Sequence, residues 1–149
     1  MKIKKIVALT AACAMLSSAA GCQIITIDGE GTAEVGENGV VGNGAIGLSV
    51  STLNNPFFVS LAEGAQAEAE EKGAKLITVD AGDDAAKQTN DVEDLVSRNV
   101  SVLIVNPVDS DAVAPAVKDA ISKGIKVISV DRVVNGVDVD CQIASDNVA

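Results

Sequence analysis

Four short apolar runs recur along the chain: AIGLSVS at 45–51, KLITVD at 75–80, SVLIVN at 101–106 and KVISVD at 126–131. Each is too short for an ordinary helix, rich in β-branched residues and bounded by turn signals. Runs of this kind read as strands buried on both faces, the habit of parallel sheets. Parallel neighbours need a crossover of roughly a dozen residues or more, usually a helix. The intervals supply one each time. Pro56 suits a first helical turn, with Asn54 or Asn55 as its cap, and Gly73 closes that helix. Phe58, Leu61, Ala62, Ala65 and Ala69 form its apolar stripe. Asp83 or Asp84 caps a second helix running to about Arg98, with Val92, Leu95 and Val96 inward. A third spans about 111–123 and is closed by Gly124, and a short further strand is expected near 141–144. The order βαβαβαβ with right-handed crossovers predicts an α/β fold with a doubly wound parallel sheet.

Composition removes several classes of function. The 149 residues include no His, so imidazole catalysis and imidazole metal sites are excluded. A net charge of −10 with no basic face argues against nucleic acid as a partner. Cys13, Cys22 and Cys141 show no ligand spacing, and Cys141 reads as a small residue at a strand. GNGAIG at 42–47 has the form of a dinucleotide fingerprint, but it precedes a strand instead of following one.

The first 22 residues read as a targeting segment. Lys2, Lys4 and Lys5 precede an apolar stretch at 6–16, too short to span a bilayer, and then SSAAGC. This pattern resembles a bacterial lipoprotein signal, in which Cys22 is lipidated and anchors the chain to a membrane. The alternative is an ordinary secretory signal cut near Ala20, leaving a soluble periplasmic protein. Residues 23–44 hold six Gly and four acidic residues and read as a flexible tether, with a reach of about 25 Å as a random coil. The folded lobe is expected over 45–149.

In an open parallel sheet, ligands bind beyond the carboxyl ends of the strands, near the switch in strand order. The first strand end offers Ser51, Asn54, Asn55, Phe57 and Phe58, the second Asp80, the third Asn106, and the fourth Asp131 and Arg132. Asp80 reads better as a turn residue. Phe57 and Phe58 are the chain's only aromatic residues. Amide, carboxylate and guanidinium groups match the hydroxyls of a neutral polyol, and an aromatic ring packs against the C–H face of a sugar. Neither a cofactor nor a catalytic constellation is indicated. Asp80 and Asp131 come from different strand ends and make no glycosidase pair.

VSTLNNPFFVSLAEGAQAEA, NPVDSDAV, VDR and IASDNV resemble the periplasmic ribose-binding members of the sugar ABC-transporter solute-binding family. The resemblance runs from about Ala45 to the last residue. It implies two flavodoxin-like lobes joined by a hinge, closing on one monosaccharide that is delivered to ABC permease subunits. It implies sugar contacts from Asn55, Phe57, Phe58, Asn106, Asp131 and Arg132, with Ser51 a weaker candidate. In that family the Phe rings stack on a pentose and the Asp-Arg pair forks its hydroxyls. A sensory input module for a chemoreceptor or kinase would use the same pocket. A repressor relative would need an N-terminal helix-turn-helix where this chain has a secretion signal. ASDN at 144–147 corresponds to the first hinge crossing, so the chain is expected to be an N-terminal fragment lacking the second lobe. Weak or absent sugar binding and exposed apolar surface are expected of it alone.

Overall fold

A computed structural model describes residues 44–144. The expected signal segment with Cys22 and the tether up to Asn43 lie outside the described residues, as does hinge segment 145–147. Strands and helices alternate through β4, and β5 follows directly: β1 (Ala45–Val50), α1 (Pro56–Glu71), β2 (Lys75–Asp80), α2 (Ala85–Ser97), β3 (Val102–Val105), α3 (Ala114–Ser122), β4 (Lys126–Val130) and β5 (Cys141–Ile143). All five strands are parallel, in the order β2-β1-β3-β4-β5. The first crossover travels one way from β1 and the later ones travel the other way. Right-handed connections therefore put α1 on one face and α2 with α3 on the opposite face.

Local chemistry explains the element ends. Asn55 caps α1, its side chain accepting from Phe57 N at 3.0 Å. Asp84 caps α2, accepting from the N–H groups of Ala86 and Lys87 at 2.9 and 3.0 Å. Asn99, just past α2, takes the left-handed conformation at φ 58, which Asn tolerates well. The third helix begins three residues later than expected, at Ala114. Asp109 instead ties a turn ahead of it, accepting from the N–H groups of Asp111 and Ala112 at 2.9 and 2.7 Å. Pro115 then sits in the first helical turn, where its missing N–H costs nothing.

The core lies on the α2/α3 face. Ala45, Leu103, Val105 and Val127 from the sheet meet Val92, Leu95, Val96, Val117 and Ala120 from the helices, all buried. Gly47 belongs to this packing. A Cβ there would lie 3.0 Å from Leu95 Cδ1, so the missing side chain lets α2 approach β1. On the other face, α1 packs against β1 and β2. Of its expected stripe only Phe58 and Ala69 are buried, while Leu61, Ala62 and Ala65 are half-buried. Val102, Ile104, Ile128 and Val130 point to this face by strand alternation and are half-buried, and Cys141 and Ile143 are exposed.

Candidate functional site: the rim at the strand ends

β1 and β3 are adjacent, and the strand order reverses between them. This is the switch point at which open α/β sheets place their ligands. At the carboxyl ends of β4 and β5, against the start of α1, lies a cavity of about 180 Å³ lined by Phe57, Leu61, Val130, Asp131, Ile143 and Ala144. Phe57 and Asp131 are thus brought to one concavity, from the start of α1 and the end of β4.

The aromatic pair divides between two environments. Phe57 is 54% exposed, whereas Phe58 is buried beneath it. The rings meet edge to face, with centroids 5.3 Å apart and planes at 76°. That geometry suits the ring quadrupoles and leaves Phe57 a supported platform.

Asp131 stands on an unusual backbone. Its φ is 67, and Arg132 N donates to Val130 O at 2.8 Å across it. A bond between residues i and i+2 around a positive φ is a γ-turn of the rare, strained kind. Strain of this sort persists only where neighbours hold it. Here Asp131 N donates to Ile143 O at 2.7 Å, fixing the turn to β5. Arg132 reaches along the rim to the β3–α3 loop. Its Nη1 donates to Val108 O at 2.8 Å and lies 3.5 Å from Pro107 O. The remaining guanidinium nitrogens are not used in those two bonds.

Asn106 holds a different position from the rim residues. It is 1% exposed, and both ends of its side chain are bonded to strand ends. Oδ1 accepts from Ser51 N and Nδ2 donates to Val130 O, both at 3.1 Å. Its N–H donates to Ser49 O at 2.8 Å. Asn106 therefore stitches β1, β3 and β4 together just below the rim. Ser51 is also buried, with its carbonyl accepting from Asp83 N at 2.8 Å. Asn55 is exposed, with Oδ1 bonded to the helix cap. Asp80 behaves as a turn organiser, its Oδ1 accepting from Leu53 N at 3.1 Å and Gly82 N at 2.9 Å.

One participant escapes a reading by residue type. Gln88 of α2 is fully buried and bonds to Ser49, Asn106 and Val108. Its signal in the sequence is positional: it precedes Val92 by one helical turn and so falls on the inward stripe. Two carboxylates elsewhere are held below the usual carboxylate range. For Asp109 the causes are the N–H groups of Ala112 and then Asp111. For Asp140 they are the Lys126 side chain and then Val127 N–H.

A family model described as the periplasmic binding protein domain matches residues 46–149. The chain belongs to this periplasmic binding protein family. It is 52% identical over 103 residues to the ribose import binding protein of Bacillus subtilis, covering 69% of this chain and 34% of that one. The Escherichia coli ribose import binding protein is 50% identical over 103 residues, with 69% and 35% covered. The chain thus spans about a third of the length of these relatives. Among solved structures, the Caulobacter myo-inositol binding protein bound to myo-inositol is 33% identical with a TM-score of 0.65, over 70% of this chain and 36% of that one. A solute binding protein of Mycobacterium smegmatis with bound glycerol is 46% identical with a TM-score of 0.59, over 62% and 32%.

Proposed function

We propose that the chain provides the first sugar-contacting lobe of the solute-binding component of a sugar ABC importer, for ribose or a similar monosaccharide. The observation that carries this reading is the meeting of an exposed, edge-supported Phe57 ring with the Asp131 carboxylate at one cavity, at the carboxyl end of β4. The ring offers an apolar platform for a C–H face, and the carboxylate accepts from hydroxyls. Asn55 and Arg132 extend the polar rim with donors not used in their structural bonds. Phe58 and Asn106 act on the sugar from beneath, the first by backing Phe57. The ligand names of the two ribose import relatives, glycerol and myo-inositol all support a hydroxylated carbon skeleton. The reading extends to lipidation at Cys22, which would hold the lobe at a membrane facing the permease, with residues 23–44 as tether. It assigns no catalytic step.

The described residues form one wall of such a site, and well-formed pockets cover about 70–90% of a small ligand. The 149-residue chain is therefore expected to bind ribose more weakly than micromolar. The test is a ribose titration of the labelled chain by NMR, with calorimetry alongside. Millimolar ribose should shift the Phe57 ring and the Asp131 amide, and Phe57→Ala should abolish those shifts. No response at either residue would sink the sugar reading, and a micromolar constant would sink the weak-binding part.

A further inference from the structure

Gln88 occupies a place where the fold otherwise puts apolar side chains, on the stripe it shares with Val92, Leu95 and Val96. Burying a primary amide is unfavourable unless each polar end is paired. Both ends are. Nε2 donates to Asn106 O at 2.8 Å and lies 3.2 Å from Ser49 Oγ. Oε1 accepts from Val108 N at 2.7 Å.

These partners lead to the rim by two short routes. Val108 bonds Gln88 through its N–H and Arg132 through its carbonyl, so one residue is gripped from the core and from the rim. Asn106 bonds Gln88 through its carbonyl, while its side chain donates to Val130 O, the same carbonyl that closes the strained turn at Asp131. Arg132 is therefore one residue removed from Gln88, and Asp131 two, through Asn106 and Val130.

We propose that Gln88 is a positioning residue: it holds the 106–108 turn so that Arg132 and Asp131 stand ready at the rim before any ligand arrives. Preorganisation of this kind lowers the ordering cost of binding. The inference rests on the sugar reading only in naming what the rim receives. The coupling from Gln88 to Arg132 belongs to the free chain and is tested there.

The experiment compares the full 149-residue chain, Gln88→Met and Gln88→Glu by NMR. It records amide exchange at Val108, the Asp131 and Arg132 signals including Arg132 Nε–H, and the melting temperature. Methionine keeps the length and removes the bonds. It should speed Val108 exchange by at least about tenfold relative to its neighbours, the scale of one lost hydrogen bond, and move the Arg132 signals. Glutamate keeps the acceptor for Val108 N–H and should restore slow exchange there. A lower melting temperature with Val108 exchange and Arg132 signals unchanged would mean a merely structural role and overturn the proposal. If Gln88→Met does not fold, the parent chain decides: Val108 must exchange slowly although it lies in a loop, and exchange as fast as exposed loop amides overturns the proposal. Added ribose separates the two readings. A parent chain silent to ribose counts against the sugar reading, while the free-chain signals still judge Gln88.

Discussion

The two faces of the sheet are built to different degrees of closure. On one, α2 and α3 seal Leu103, Val105 and Val127 completely, and Gly47 lets a helix settle close to the strands. On the other, among the described residues, α1 alone covers the sheet, over β1 and β2, and the apolar residues of β3, β4 and β5 stay half-buried or exposed. Hydrophobic stabilisation follows the apolar area removed from water, so the sealed face carries most of it. The difference teaches that the rim is anchored from the sealed side. Gln88 reaches it from there through the Asn106 carbonyl and Val108 N–H, while the open side contributes Phe57 and Ile143, both more than half exposed.

The comparison is broken most severely at Leu95. Leu95→Ala leaves a void in the sealed layer and should cost about 2–5 kcal/mol, read as a lower urea midpoint. An effect below that range would mean α2 can collapse onto Gly47 and the face is looser than described. On the open face, Ile128→Thr keeps the β-branch and loses apolar area that is already partly wet. It should cost under about 1 kcal/mol and reduce binding of a hydrophobic dye. A loss as large as that of Leu95→Ala would erase the contrast between the faces.

The smallest effect is expected at Asp140, which joins the start of β4 to the approach to β5. Its Oδ1 lies 2.8 Å from Lys126 Nζ, and its Oδ2 accepts from Val127 N at 2.9 Å. The folded carboxyl is held below its ordinary value, so its contribution is present at neutral pH. It is lost as pH falls from about 4 through the lower folded value. Both partners are largely exposed, so Asp140→Asn should cost under about 1 kcal/mol at pH 7. It should cost less at acid pH than at pH 7, so the stability gap between the two pH values narrows. An unchanged gap would show that another carboxylate governs the acid response.

Much of the architecture was legible because local signals agreed. Val- and Ile-rich runs set the strands, Asn55 and Asp84 capped their helices, and the strand expected over the end of GNGAIG is β1, in which Gly47 is a packing position. The start of α3 was less legible, because the Asp109 turn and a helix cap carry the same residue signature. The α1 stripe was legible as a pattern but not as burial, since burial at Leu61 and Ala65 depends on what lies across the sheet. At the site, residue types pointed to the strand ends without separating rim from foundation. Asn106 and Asp131 read alike as polar groups at the ends of apolar runs, yet one is a buried stitch and the other an exposed turn. Gln88 was missed because an amide within a helical stripe looks like a solvated position until its bonds are known.

The γ-turn at Asp131 limits which side chains that position can ever display. Asp, Asn and Gly tolerate a positive φ, whereas β-branched and bulky residues do so only under strain. Under the proposed sugar role, diversification toward other ligands is therefore closed off at the tip of β4 and open where the main chain imposes no such filter. In that role, the side chains of Arg132 and Phe57 are the places where a new preference can be written without first rebuilding the bend at Asp131.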